Sequence, residues 1–399
     1  MPNVKMRQIY LDNAATTKLD PTVLEAMLPY LREKYGNPSS MHNMGIEAKN
    51  AIDSARRKVA GILNCSEKEI IFTGSGTESD NLAILGYARK NKDKGNHIIT
   101  TSIEHHAVLD PFHRLEKEGF EVTILDVGKD GLVDINELKK TINDKTILVS
   151  IIYANNEIGV VQDIKEISKL CKEKNVIFHT DACQAANYLS IDVEELGIDL
   201  ITLNGSKIYG PKGVGILYKR EGIMLEPIVY GGGQEFGLRS GTENIANIVG
   251  FAKALEEVTK HKDKEVKKTT QLRDYLIANL LKIDETILNG HPTKRLPNNA
   301  NISLLNIEGE SLLLLMNEEG IYASTGSACT SDSLEPSHVI VALGLPHEFG
   351  HSSIRFSLGK DTTKQDIDYV LEKLPPLVKR LRKVSVLHKT VEEALTQKV

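Results

Sequence analysis

A glycine-rich segment, residues 73–79, lies where an apolar run gives way to a helical pattern. Gly74 and Gly76 let backbone N–H groups converge on an anion at the start of a helix. The segment is not a dinucleotide fingerprint, because Ser79 stands where that motif needs its third glycine. It is not a P-loop either, since no Gly-Lys-Ser/Thr follows. Taken alone, it is equally consistent with an ordinary strand-to-helix turn that carries an N-cap.

Two ionisable residues close apolar runs further along the chain. Asp181 follows residues 176–180, and Lys207 lies just past residues 199–203. A buried aspartate needs a positive partner, such as a protonated pyridine nitrogen, and a desolvated lysine is a Schiff-base nucleophile. Taken singly, Asp181 is equally well explained as a helix N-cap, and Lys207 is better explained as a surface lysine. Lys212 is a weaker candidate, because its Gly-Pro-Lys-Gly turn keeps it in solvent.

Together, these three segments predict a site for pyridoxal phosphate. In open α/β sheets ligands bind at the carboxyl ends of the strands. A phosphate cradle, a carboxylate for the ring nitrogen and an amine are what this cofactor requires. His105 or His106, just after another apolar run, is a candidate to stack on the ring and move protons. Either histidine is equally readable as a polar cap residue.

Cys329 is the candidate reactive thiol. It lies among small polar residues at 323–333, a composition typical of a surface loop, whereas free cysteines are normally interior. The other three cysteines fall in or beside predicted elements and are interpreted as packing residues or, for Cys183, as a neighbour of the ring. Four cysteines without a CxxC pair indicate a reduced, cytoplasmic protein rather than a disulfide framework.

Alternating strand and helix patterns predict the framework for these residues. The predicted strands are 69–72, 97–101, 121–125, 146–153, 176–180 and 199–203, and the helices between them are 76–91, 107–117, 134–142, 164–174 and 193–196. The strands are apolar throughout, as expected for strands covered on both faces. Repeated βα units of this length predict an α/β fold with a mostly parallel sheet.

The pattern changes after Gly250. A helical stretch over 251–281 contains a charge-dense run at 260–265, and a strand, a helix, a strand and a final helix follow. These features predict a large domain over residues 16–262 and a smaller α+β domain over 263–399. Residues 1–15 are expected to pack on the smaller domain.

Composition excludes several classes of function. The chain has 399 residues, a net charge of −5, no Trp and 5% aromatic residues, so nucleic-acid binding is not expected. Its longest apolar run is too short to cross a bilayer.

Residues 347–351 match the zinc motif H-E-x-x-H, but Pro346 and Gly350 argue against the regular helix that this motif needs, so no metal site is expected. In the glycine-rich stretch 231–242, Arg239 and Thr242 are candidate anion ligands.

Taken together in order, these motifs closely resemble the cysteine desulfurases, in particular those that supply sulfur for iron–sulfur clusters. The likeness runs from residue 9 to about residue 383. It is carried by the segments 9–17, 35–40, 155–159, 239–242, 326–331 and 334–337. The resemblance implies a homodimeric fold-type I transferase with a seven-stranded type of sheet. It also implies a pyridoxal phosphate enzyme that converts L-cysteine to L-alanine and holds the sulfur as a persulfide.

The resemblance also implies a role for each matching residue. Lys207 forms the Schiff base with the cofactor, Asp181 pairs with the ring nitrogen, and His105 stacks on the ring as acid and base. The other implied contacts are Asn156 and Gln184 to the ring, Gly76, Thr77 and Ser206 to the phosphate, Thr242 from the partner subunit, Arg355 with Asn156 to the substrate, and Cys329 to the sulfur. Cys329 is also a possible transient cluster ligand.

The sequence departs from the family pattern at several positions, and alternative functions are considered beside it. Ser206 stands where the family usually has His, and Cys183 where Thr is common. The tail from residue 384 does not resemble the end that docks a cluster scaffold, so recognition of a scaffold or another acceptor protein stays open. The alternatives are a selenocysteine lyase or another lyase or transaminase on the same scaffold and, in a different class, a non-catalytic sulfur carrier.

Overall fold

The computed structural model describes residues 7–326 and 336–396. The strands in that part of the chain are β1 Ile9–Tyr10, β2 Ile70–Thr73, β3 His97–Thr101, β4 Glu121–Leu125, β5 Thr146–Ser150, β6 Ile177–Asp181, β7 Leu200–Asn204, β8 Gly215–Lys219, β9 Thr286–Leu288, β10 Asn299–Leu304, β11 Ile321–Tyr322 and β12 Ser353–Ser357. The helices are α1 Pro21–Arg32, α2 Asn43–Leu63, α3 Gly76–Lys90, α4 His106–Lys117, α5 Ile135–Thr141, α6 Ile164–Glu173, α7 Val193–Leu196, α8 Ile245–Leu280, α9 Gly309–Glu318, α10 His338–Ala342, α11 His347–His351, α12 Lys364–Val384 and α13 Val391–Thr396.

A seven-stranded sheet forms the centre of the larger part of the molecule. Its order is β2-β8-β7-β6-β5-β3-β4. Of the seven described strands in this sheet, β8 is the one that runs in the direction opposite to the others. Strands β2, β3 and β5 are buried along their whole length, which is why their sequences are apolar on both faces. The predicted α/β architecture with a mostly parallel sheet is confirmed.

A second, smaller core lies beyond the middle of α8. The antiparallel sheet β12-β10-β9 packs with α9 and α12, and Ile354, Phe356, Ile367 and Val370 are fully buried there. Strand β1 pairs in parallel with β11, so Ile9 and Leu11 belong to this second core. We propose the division at residue 262 into a large and a small domain on this basis, with residues 7–15 on the small one.

Several elements differ from the sequence-based expectation. Helices α1 and α2 have no predicted counterpart, and β8 inserts between β2 and β7. Residues 347–351 were not expected to be helical, yet α11 forms one turn there. Over the described ranges, no group of three or more His, Cys, Asp or Glu side chains is arranged to hold a metal. None of the helices described is both long and apolar enough to span a membrane.

Candidate active site

A cavity of about 240 Å³ lies where β3, β5, β6 and β7 end. Parallel strands bring their carboxyl ends to one edge of the sheet, so residues from distant sequence segments meet there. Eight of the predicted site residues line it: Gly76, Thr77, His105, Asn156, Asp181, Gln184, Lys207 and Arg355. The structure therefore brings the glycine loop, the strand-end carboxyl and the strand-end amine together.

Lys207 reaches the cavity from a 3-10 turn, Gly205–Lys207, that directly follows β7. The side chain of Asn204 starts this turn by accepting a hydrogen bond from Ser206 N at 3.1 Å. Gly205 is needed because a Cβ there would lie 2.7 Å from the carbonyl oxygen of Pro211. The Lys207 amine donates to the carbonyl oxygen of Ala15. The amine is thus held at the cavity by local turn geometry and by the chain before α1.

Asp181 is the last residue of β6 and is 6% exposed. Its Oδ1 accepts a hydrogen bond from Cys183 N at 2.9 Å. Asp80, on α3, lines the same cavity, and burial raises its pKa well above the usual range, with Asp181 and Glu104 adding to the effect. Burial also lowers the pKa of the neighbouring His179 to about 3, so this imidazole is neutral. Asp181 therefore lies among groups whose burial favours their uncharged forms.

His105 is the N-cap of α4 and is fixed by its own helix. Its Nδ1 accepts a hydrogen bond from Ala107 N at 3.0 Å, so a neutral ring carries its proton on Nε2. Burial lowers its pKa, and the positive charge of Lys207 lowers it further, while Asp181 opposes these effects. The ring thus favours its neutral form, with the proton on Nε2.

Gly76 and Thr77 begin α3, a helix of 15 residues. The N–H groups of a first helical turn have no acceptor within the helix and carry a partial positive charge, which suits a phosphate. A Cβ on Gly76 would lie 2.8 Å from Cys183 Sγ, so only glycine keeps this end of the cavity open. The Ser75 side chain caps the helix by accepting from Glu78 N. The glycine-rich segment is therefore both a capped helix start and a wall of the cavity.

Arg355, on β12, brings a cation into the cavity from the second core. It is 2% exposed, and its Nη2 lies 2.8 Å from Asp12 Oδ1. Nη1 donates to the carbonyl oxygen of Asn156 at 3.1 Å. Its Nε is buried and has no hydrogen-bond partner within residues 7–326 and 336–396. A donor of this kind on a guanidinium suits a carboxylate ligand.

Three of the predicted site residues do not line the cavity in the described structure. Ser206 Oγ is hydrogen-bonded to Asn204 Oδ1 at 3.2 Å, and Thr242 is exposed on the surface. Cys329 lies outside the described residues. Arg239, expected as an anion ligand, instead donates to Glu78 Oε1 at 2.8 Å and so supports the start of α3. The sequence does not indicate this pairing, because the two residues are far apart in the chain.

Glu104 is a cavity residue that the sequence analysis does not single out. It is fully buried, and its Oε1 accepts from Thr101 Oγ1 at 2.6 Å and from Ile152 N at 2.8 Å. These bonds tie the end of β3 to the chain after β5 and so fix the turn that presents His105. Its Oε2 has no hydrogen-bond partner in the described part of the chain, and burial raises the pKa to about 8. Glu104 is adjacent to His105, but only the fold reveals its burial.

This raised pKa predicts a pH-dependent stability. The folded Glu104 keeps its proton up to about pH 8, whereas the unfolded residue loses it near the usual glutamate pKa of 4.5. The folded state binds more protons in between, so Glu104 makes stability fall as pH rises across that window. Glu104→Gln removes this contribution. We compare the free energies of unfolding of Glu104→Gln and the wild type in urea titrations. The difference, variant minus wild type, should increase as the pH rises from about 5.5 to about 8.5.

The exposed Glu372→Gln on α12 is the matched control, and its difference from the wild type should stay flat over the same range. A flat difference for Glu104→Gln would show that Glu104 is already ionised in the folded protein at low pH.

Residues 9–370 match the family model for aminotransferase class-V. The chain belongs to that family. It is 54% identical over 381 residues to a cysteine desulfurase IscS of Methanosarcina thermophila, covering 96% of this chain and 94% of that protein. It is 51% identical over 380 residues to a cysteine desulfurase IscS of Dictyoglomus turgidum, covering 95% and 96% of the two chains. A solved NifS-like protein superimposes with a TM-score of 0.89 at 39% identity, covering 94% of this chain and all of that one.

Class-V aminotransferases of this kind use pyridoxal phosphate, and the residues of the cavity fit that group. The open helix start at Gly76, kept clear of a Cβ, suits a phosphate. The carboxyl group of Asp181 suits a ring nitrogen, and the amine of Lys207 lies on the wall of the same cavity. These observations concern residues from three separate segments, so the fit does not depend on any one motif.

Proposed function

We propose that this protein is a pyridoxal-phosphate-dependent cysteine desulfurase, which converts L-cysteine to L-alanine and passes the sulfur to acceptor proteins that build iron–sulfur clusters or other sulfur-containing cofactors. One observation carries the proposal. A single cavity gathers Lys207, Asp181, His105 and Arg355 in a chain about half identical to proteins named cysteine desulfurase.

The chemistry that pyridoxal phosphate supplies when bound is an electron sink for the carbon atoms of an amino acid. In our proposal Lys207 holds the cofactor covalently, and Asp181 keeps a proton on the ring nitrogen. Asn156 and Gln184 contact the ring. Gln184 is oriented for this role because its Nε2 donates to the carbonyl oxygen of Ala14 at 2.9 Å.

The phosphate is held by the start of α3 at Gly76 and Thr77. We also assign Ser206 to the phosphate, although its hydroxyl is bonded to Asn204 in the described structure. Thr242 is proposed to reach the phosphate of the partner subunit, which agrees with its exposure on a single chain.

Substrate binding and proton transfer are assigned to four residues that line the cavity: Arg355, Asn156, His105 and Lys207. Arg355 binds the substrate carboxylate through its buried guanidinium, with Asn156 beside it. His105 is assigned as the acid and base, because a neutral ring can take up a proton and return it from the imidazolium form. Lys207 is a second proton carrier once its amine has been released by the substrate amine.

Cys329 is proposed to take the sulfur. Its thiolate forms an S–S bond with the substrate sulfur while the C–S bond of L-cysteine breaks, and the electron pair left on carbon takes up a proton to give L-alanine. The other cysteines support this choice, because burial raises the pKa of Cys65 and of Cys171 to about 12. Burial also raises the pKa of Cys183, with Asp181 adding to it. Such thiols are poor nucleophiles.

The proposal includes a homodimer in a reducing, cytoplasmic environment. Large apolar side chains stand in solvent on the single chain, among them Met41 at 95% exposure and Tyr35 at 75%, near one of the segments that carry the family resemblance. A second copy of the chain would cover such residues. The described cysteines are all unpaired, as is usual where thiols stay reduced.

The proposal is tested by measuring both products from L-cysteine. With a reducing thiol to release sulfide, L-alanine and sulfide should form in equal amounts over many turnovers. Without any reductant, alanine formation should stop after about one equivalent per chain, when the acceptor thiol is filled. Pyruvate and ammonia as products, or alanine from selenocysteine alone, would contradict a cysteine desulfurase and favour another lyase.

A further inference from the structure

Glu157 is a buried residue on the wall of the cavity to which the proposed chemistry gives no role. It is 2% exposed, and its main chain is fixed from two sides. Its N–H donates to Asn155 Oδ1 at 2.9 Å. Its carbonyl oxygen accepts from the side-chain amides of Asn299 and Asn301 on β10, at 3.1 Å each. The position of Glu157 is therefore set by both cores of the molecule.

The carboxyl group of Glu157 contacts both flanks of the segment 327–335. Ser337 Oγ donates to Glu157 Oε2 at 2.5 Å. On the other flank, a Cβ added to Gly326 would collide with the same Oε2 and lie 3.3 Å from Ser337 Cβ. Gly326 and Ser337 thus lie side by side against one carboxyl oxygen. The chain between them carries Cys329.

Further contacts fix each flank relative to the cavity. Ser337 is the N-cap of α10, because its Oγ also accepts from Ile340 N at 3.3 Å. Pro336 packs so closely on α11 that a Cβ on Gly350 would lie 2.7 Å from Pro336 Cβ. Arg355 Nη1 donates to the carbonyl oxygen of Gly326 at 3.3 Å. Gly326 is thereby held by Arg355, Ser337 by Glu157 and the start of α10, and Pro336 by α11.

We propose that Glu157 is a positioning residue for sulfur transfer: it fixes Gly326 and Ser337 side by side, and so anchors the two described ends of the segment that carries Cys329. This inference rests on the proposed function of Cys329. A reacting thiol must lie close to the atom it attacks, and a displacement of about 1 Å can cost as much as 100-fold in rate. Glu157 acts through Ser337 and Gly326 and does not itself touch the reacting atoms.

The test separates substrate binding from sulfur transfer in the holoenzyme. Equimolar L-cysteine is mixed with wild type, Ser337→Ala, Glu157→Ala, Glu157→Gln and the double variant Glu157→Ala/Ser337→Ala. The change in cofactor absorbance reports substrate binding. Quenching with an alkylating reagent and mass spectrometry of the Cys329 peptide report persulfide formation. Ser168→Ala is the matched control, since its buried hydroxyl makes an equally short hydrogen bond, 2.5 Å, to the Leu196 carbonyl oxygen.

We expect Ser337→Ala and Glu157→Ala to slow persulfide formation about 10- to 100-fold, while the absorbance change stays within about two-fold of the wild type. The double variant should be no slower than Ser337→Ala, because that change alone already removes both the bond to Glu157 and the cap of α10. Glu157→Gln should recover much of the rate, since its amide oxygen still accepts from Ser337. Ser168→Ala should leave both steps unchanged.

Persulfide formation at the wild-type rate in Ser337→Ala and Glu157→Ala would overturn the inference. Equal slowing of substrate binding and of persulfide formation would also overturn it, because that result marks a merely structural role. If Glu157→Ala does not fold, Ser337→Ala decides the question alone. A wild-type enzyme that forms no persulfide on Cys329 would instead overturn the proposed function, and this inference with it.

Discussion

Replacing Lys207 by alanine should abolish covalent attachment of the cofactor. The amine comes from a turn that Asn204 and Gly205 fix at the end of β7, and it is the lysine that lines the cavity in the described structure. Without it, the absorbance band of lysine-bound cofactor should be absent, and treatment with borohydride should leave no cofactor on the chain. Turnover of L-cysteine should fall by at least about 1,000-fold, since the amine is also a proton carrier.

Lys212→Ala is the matched control for this prediction. Lys212 lies five residues further along the same loop but is exposed, and it does not line the cavity. Its loss should leave both the spectrum and turnover unchanged. A Lys207→Ala protein that still carries borohydride-reducible cofactor, or a Lys212→Ala protein that loses it, would show that the lysine assignment is wrong.

Replacing Cys329 by serine should separate cofactor chemistry from sulfur transfer. The cavity residues described above are untouched by this change, so the cofactor spectrum and its response to L-cysteine should remain. Sulfide release should fall to below about one thousandth of the wild-type rate, because a hydroxyl group is not ionised near neutral pH and cannot act in thiol–disulfide exchange.

Cys65→Ser provides the comparison for the loss of a thiol. Cys65 is half-buried just after α2 and does not line the cavity, and burial raises its pKa to about 12. This variant should release sulfide at the wild-type rate. Sulfide release by Cys329→Ser at that rate would remove Cys329 from the mechanism and direct attention to Cys183.

Local signals predicted much of the framework and the central residues of the site. Strands β3 and β4 have the predicted bounds, because their apolar runs end at polar or glycine-containing turns. Asp181 and Lys207 were found for the same reason, as polar residues at the ends of apolar runs. Parallel strands bring their carboxyl ends to one edge of the sheet, and so the two residues lie at one cavity.

Other features depended on contacts between distant segments. Much of the buried face of α2 consists of small residues such as Ala48, Ala51 and Ala55, which give a weak periodic pattern. Strand β8 is set by pairing with both β2 and β7, which no local pattern reports. The burial of Glu104 and the contact of Glu157 with both Gly326 and Ser337 arise only when the two cores meet. Charged residues are normally exposed, so sequence alone favours a surface position for both.

The most direct test of the account is to locate the sulfur after a single turnover. Wild-type holoenzyme is mixed with one equivalent of L-cysteine without reductant, alkylated and digested, and each cysteine peptide is analysed by mass spectrometry. The account predicts one extra sulfur atom on the peptide that contains Cys329, with L-alanine formed in equal amount. Alanine formation with the extra sulfur on Cys65, Cys171 or Cys183, or on no cysteine at all, would contradict it.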